Sequence, residues 1–129
     1  MNQESRRIRS FTNLFAWQEG QKLVLMIYGI TKSFPQKESL CLTSQMNRCA
    51  VSITSNIAEG FSRETHKDKL RFYFIALGST TELQNQLLIS RDIKYIDKNE
   101  FNLIAEKTVK VHKIINGLIK KTKEMIPNS

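Results

Sequence analysis

Cysteine is scarce in this chain of 129 residues. The two present, Cys41 and Cys49, cannot form a disulfide framework. In a reducing compartment both are expected to be free thiols with ordinary packing roles. A zinc site needs four close ligands, and His66 and His112 lie far from the cysteines in sequence. No metal or other cofactor is expected. Proline occurs only at Pro35 and Pro127, each at the edge of an apolar-periodic segment. No run of about 18 apolar residues exists, so no membrane-spanning helix is expected. The first residues, MNQESRRIRS, lack the apolar core of a secretory signal, which points to the cytoplasm. Catalytic signatures are missing as well: no phosphate-binding glycine loop, no nucleophile elbow, no HExxH. Neither histidine follows a glutamate at the Glu-x-x-His spacing of a di-iron bundle. An enzyme is therefore not expected.

Acidic residues are also in deficit. Twelve stand against 20 Lys and Arg, for a net charge of +8. That balance favours polyanionic partners, either a nucleic acid or an acidic protein. The apolar fraction of 40% suffices for one core at this length.

What is present is helical periodicity. Residues 1–12 read as a basic tail carrying Arg6, Arg7 and Arg9, either frayed or an arm for phosphate. A first helix is expected from a cap at Thr12 or Asn13 to Phe34, where Pro35 stops it. Gly20 and Gly29 inside it suggest close helix contacts. The second helix is expected to start from Thr43 and to stop or turn at Gly60. The third should run from His66 to Lys94, opened by Thr65 and Asp68. Its apolar residues suggest two core stripes. One holds Leu70, Phe74, Leu77, Thr81 and Leu88; the other includes Ile75, Ala76, Leu83 and Ile93. Gly78 and Ser79 at its middle suggest close backbone approach. Asp97 and Glu100 open the fourth helix, which Pro127 closes. Four amphipathic helices with short loops and no strand signal predict an all-α, antiparallel up-down four-helix bundle over residues 13–126.

Two polar features stand out. On the second helix, Gln45, Arg48, Ser52, Ser55, Asn56 and Glu59 form a polar stripe beside the apolar one. It is either a solvated face or a buried network. If it is buried, Arg48 needs a carboxylate, and Glu82 on the third helix is the candidate. Ser79, Glu82 and Gln86 would be its partners. On the fourth helix, Lys107, Lys110, Lys113, Lys120 and Lys121 share a broad face opposite the apolar stripe. That face is either simply solvated or a surface that tracks phosphates without reading bases. Arg6, Arg7 and Arg9 could extend it. No aromatic residue is interleaved with these lysines, which argues against base stacking there.

The segments FTNLFAWQEGQKLVLMIY, SFPQKES, LTSQMNRCAVSITSNIAEGFSR and YFIALGSTTELQNQL resemble the bacterial 23S rRNA intervening-sequence proteins, over about residues 11–120. The resemblance implies a bundle assembled into a homopentameric ring. It also implies a likeness to the accessory protein of diversity-generating retroelements, a basic pentamer that binds nucleic acid and a reverse transcriptase. The family motif falls on Gln45, Arg48, Ser52, Asn56, Glu59, Gly60, Arg63, Gly78, Ser79 and Glu82, which are expected to be structural. Gln84, Asn85 and Gln86 depart from it, since the family tends to have a second Glu there, followed by Thr and Gln. Two functions follow: a homo-oligomeric bundle that binds RNA or DNA, or a scaffold for an acidic partner such as a polymerase or nuclease subunit.

Overall fold

The computed structural model describes residues 9–127. Arg6 and Arg7 lie outside the described residues. Arg9 opens a short helical turn, Arg9–Thr12. Four long helices follow: α1 (Phe15–Thr31), α2 (Leu42–Ser62), α3 (His66–Asp92) and α4 (Lys98–Glu124), with a 3-10 turn at Gln36–Glu38 between α1 and α2. Each long helix packs on two others, α1 on α2, α2 on α3, α3 on α4 and α4 back on α1. The result is the expected up-down four-helix bundle.

The core is the shared apolar stripe. Leu23 and Ile27 of α1 meet Met46, Ile53 and Ile57 of α2, Leu83 and Leu87 of α3, and Val111 and Ile115 of α4, all buried. Burying each such side chain contributes roughly 1.5–3 kcal/mol relative to leaving it in water.

The helix ends follow local chemistry that the periodicity did not fully disclose. α1 starts at Phe15, with Leu14 rather than Thr12 or Asn13 at the cap position and no side-chain cap bond. Thr12 instead belongs to the preceding turn, which Phe11 holds by an edge contact with Trp17 at 5.5 Å. α1 ends at Thr31, three residues short of Phe34. The Thr31 hydroxyl donates back to the Ile27 carbonyl at 2.9 Å, and Phe34 turns inward onto Tyr95 at 5.2 Å. α2 starts at Leu42, not after Thr43, because Glu38 reaches its first N–H. It also passes through Gly60 to Ser62.

Gly60 is needed for space. A Cβ there would stand 2.7 Å from the buried Tyr73 ring. At Gly20 a Cβ would meet Thr54 Cγ2 at 3.0 Å, the close contact expected of it. Gly29 and Gly78 have nothing within 4 Å, so no close approach explains them within this chain.

Both later caps form as the sequence suggested. Thr65 accepts from the Asp68 N–H at 3.1 Å, and Asp97 with Glu100 completes a reciprocal capping box. α3, however, ends at Asp92 rather than Lys94. Its core face is Tyr73, Ala76, Thr80, Leu83, Leu87 and Ser90. Phe74, Ile75, Leu88, Ile89 and Ile93 are exposed, and so is Thr81. α3 carries apolar residues on several faces, so periodicity alone selects no single core stripe.

Candidate functional site

α1 carries one acidic residue inside its buried arc. Glu19 is 2% exposed, between Ala16 and Leu23 on the face turned to the core. A buried carboxylate must be paired. Its Oε1 accepts from Lys107 at 2.6 Å and from Lys110 at 2.9 Å, both on α4. Its Oε2 accepts from Lys22 at 2.8 Å, one turn along α1. The three ammonium groups, Lys107 foremost, hold the Glu19 carboxyl down at about 2, against the opposing effect of burial.

This cluster joins α1 to α4 and places charge at the surface. Lys107 is mostly covered, at 18% exposed, whereas Lys22 and Lys110 are more than half exposed. Three cations over one anion leave two surplus positive charges along this edge. Lys110 also lies 5.5 Å above the exposed Phe15 ring.

The five lysines of α4 thus divide. Lys107 and Lys110 lean towards α1 and Glu19, flanking the apolar stripe rather than opposing it. Lys113, Lys120 and Lys121 are exposed and form no ion pair among the described residues. Glu19 was missed in the sequence. The signal was there, an acidic side chain within an otherwise apolar arc, but its partners lie on the last helix.

The family-motif residues meet at the α2–α3 seam. A groove of about 460 Å³ is lined there by Gln45, Arg48, Cys49, Ser52, Ser79 and Glu82, among others. The Ser52 and Ser79 hydroxyls pair at 2.9 Å. Asn56 Nδ2 donates to the Ser52 carbonyl at 2.8 Å and to its Oγ at 3.1 Å. Cys49 Sγ donates to the Ser79 carbonyl at 3.0 Å. Burial, then the nearby Glu82 carboxylate, push the Cys49 thiol up to about 12.

The polar stripe of α2 therefore splits. Ser52 and Asn56 form a partly buried network, while Gln45, Arg48, Ser55 and Glu59 are exposed. Arg48 and Glu82 share the groove but form no ion pair among the described residues. Exposure removes the need for one, because water solvates both charges. Glu59 instead pairs with Arg63 at 3.3 Å, and the Arg63 guanidinium lies 4.6 Å above Phe72. Gln86 is buried, and its Oε1 has no hydrogen-bond partner among the described residues.

No helix among the described residues is long and apolar enough to cross a membrane. No three His, Cys, Asp or Glu among them gather as metal ligands.

A closed square of four helices, a lysine-crowned buried glutamate and a hydroxyl-lined seam define an all-α bundle protein. Residues 12–117 match the 23S rRNA-intervening sequence proteins, and the chain belongs to that family. No curated protein matches it. One similar solved structure is a protein of unknown function from the S23 ribosomal protein family of Bacteroides thetaiotaomicron VPI-5482. The two share 20% identity with a TM-score of 0.76, over 81% of this chain and 95% of that one. At that identity the likeness establishes the fold alone.

Proposed function

We propose that this protein is a non-enzymatic, homo-oligomeric bundle that binds RNA or DNA through the α1–α4 edge and the outer lysines of α4. The observation that carries this reading is the charge surplus at Glu19. Of Lys22, Lys107 and Lys110, one charge is neutralised internally and two remain at the surface. Lys113, Lys120 and Lys121 continue the same helix without a carboxylate partner among the described residues. Such a surface contacts phosphates and gives affinity rather than sequence preference.

Self-association is supported by α3. A lone surface helix keeps its outer face polar, yet α3 exposes Phe74, Ile75, Leu88, Ile89 and Ile93. Packing against further copies of the chain would cover them, in keeping with the pentameric ring that the family resemblance implies. A ring would multiply the +8 charge of each subunit.

The test is binding of RNA and duplex DNA across a salt series, with the mass in solution recorded alongside. Tight binding by an oligomer with a steep salt slope supports the reading. Reversal of Lys113, Lys120 and Lys121 to Glu should then weaken binding about equally across sequences. Absence of binding at low salt overturns it. The +8 net charge would then favour a scaffold for an acidic protein partner, detected as a complex that survives nuclease treatment.

A further inference from the structure

A further hollow lies at the α3–α4 turn. It is a bowl of about 670 Å³, within the roughly 300–1,000 Å³ of small-molecule sites. Arg91, Lys94 and Lys98 line it together with Tyr95, Phe101 and Asn102. This is a basic and aromatic combination that the lysine face of α4 lacks.

Arg91 is held flat. Its guanidinium lies 4.9 Å above the Phe101 ring, and its Nε donates to Asp92 at 2.9 Å. The terminal Nη groups have no hydrogen-bond partner among the described residues. A guanidinium set over an aromatic ring leaves its outer side free for a second flat group. Asp97 also lines the bowl, but its carboxylate is engaged in capping α4 at the Glu100 N–H, 2.7 Å away. Lys94 and Lys98 are both exposed.

The backbone adds an independent observation. Lys94 has φ of 66°, the only non-glycine residue with positive φ among the described residues. The Tyr95 N–H reaches the Ser90 carbonyl at 2.9 Å and the Lys94 N–H reaches that of Arg91 at 3.0 Å. That pair of bonds is a Schellman motif, whose left-handed position favours glycine. Here it presents a lysine at the bowl instead. A strained non-glycine residue at a concave, charged surface points to use of its side chain.

We infer that this bowl binds one unpaired nucleotide of a single-stranded nucleic acid. The base stacks on the Arg91–Phe101 pair, and the flanking phosphates contact Lys94 and Lys98. The inference rests on the nucleic-acid reading above but places base recognition at the α3–α4 turn rather than on the lysine face. Phosphate contacts alone would not distinguish a base from its absence, whereas stacking does.

The experiment compares a short dye-labelled single strand with the same strand made abasic, and both with a duplex. The intact strand should bind the parent protein roughly ten-fold more tightly than the abasic one, as one base stack supplies. Arg91→Lys keeps the charge and removes the plane, so this preference should vanish while duplex binding stays unchanged. Lys94→Gly should weaken intact and abasic strands alike and raise Tm, so the loss cannot be ascribed to unfolding. Equal binding of intact and abasic strands by the parent overturns the bowl while leaving the lysine face standing. A preference that survives Arg91→Lys also overturns it. If instead single strands bind with the base preference and duplex does not bind, the bowl stands and the lysine-face reading fails. Failure of every probe to bind overturns both.

Discussion

Lys107 Nζ sits 2.6 Å from Glu19 Oε1, across 88 positions of sequence. This bond, with those from Lys110 and Lys22, ties the first long helix to the last and closes the square of the bundle.

Replacing Glu19 tests that closure. Glu19→Ala leaves Lys107 mostly covered without its carboxylate and should cost on the order of 2–4 kcal/mol in denaturant unfolding. The pH dependence has a defined sign. The folded carboxyl, at about 2, lies below its ordinary value of 4.5. Its contribution is therefore full at neutral pH and is lost as pH falls from about 4.5 towards 2. Glu19→Gln should lose this acid limb, which a pH series of unfolding midpoints would reveal. It should also release all three lysines and strengthen polyanion binding. Weaker binding by a folded Glu19→Gln protein would contradict the proposed edge.

Glycines at two positions should respond in opposite directions. Gly60→Ala drives a methyl to 2.7 Å from the buried Tyr73 ring and should cost roughly 1–3 kcal/mol. Gly78 lies exposed in mid-helix with nothing within 4 Å, so Gly78→Ala should stabilise the isolated subunit by roughly 0.5–1 kcal/mol. Thermal unfolding of both variants checks this. A loss at Gly78 in the oligomer, but not in a dissociated variant, would place it at a subunit contact.

Lys94→Gly should stabilise the protein by about 1 kcal/mol, since glycine takes the left-handed conformation at φ 66° without a Cβ clash. Lys94→Ala should not, because alanine keeps the Cβ. Equal midpoints for the two variants would mean that the turn carries no strain.

The two thiols should differ in reactivity. Cys41 is exposed, whereas Cys49 is buried, donates to Ser79 and is pushed up to about 12. At mildly alkaline pH an alkylating reagent should label Cys41 in the native protein and reach Cys49 only after unfolding. Mass spectrometry of the labelled peptides decides it.

If the outer face of α3 holds copies together, a charge there should separate them. Leu88→Glu and Ile89→Glu alter side chains that are 40% and 41% exposed in the single chain, so the bundle should still fold. Sedimentation should show a fall in mass. Unchanged mass with both substitutions would move the association surface elsewhere.

The sequence by itself determined the class of fold. Apolar spacing in α1, α2 and α4 marks one face each, and local caps such as Asp97 with Glu100 need only neighbours in the chain. The charge surplus was equally legible, because it is a sum over residues. Tertiary structure alone decided which charges are spent inside. Glu19 reads as one acidic residue among many until α4 brings Lys107 and Lys110 to it. It also decided which face of α3 is core. Apolar residues at Phe74, Ile75, Leu88 and Ile93 fit helical spacing as well as Ala76, Leu83 and Leu87 do. Only the packing of α2 and α4 against α3 selects between them. The bowl at Arg91 and Phe101 belongs to this second kind. Its members come from two helices and the turn between them, and a one-dimensional pattern carries no information about a concave surface until those helices are packed.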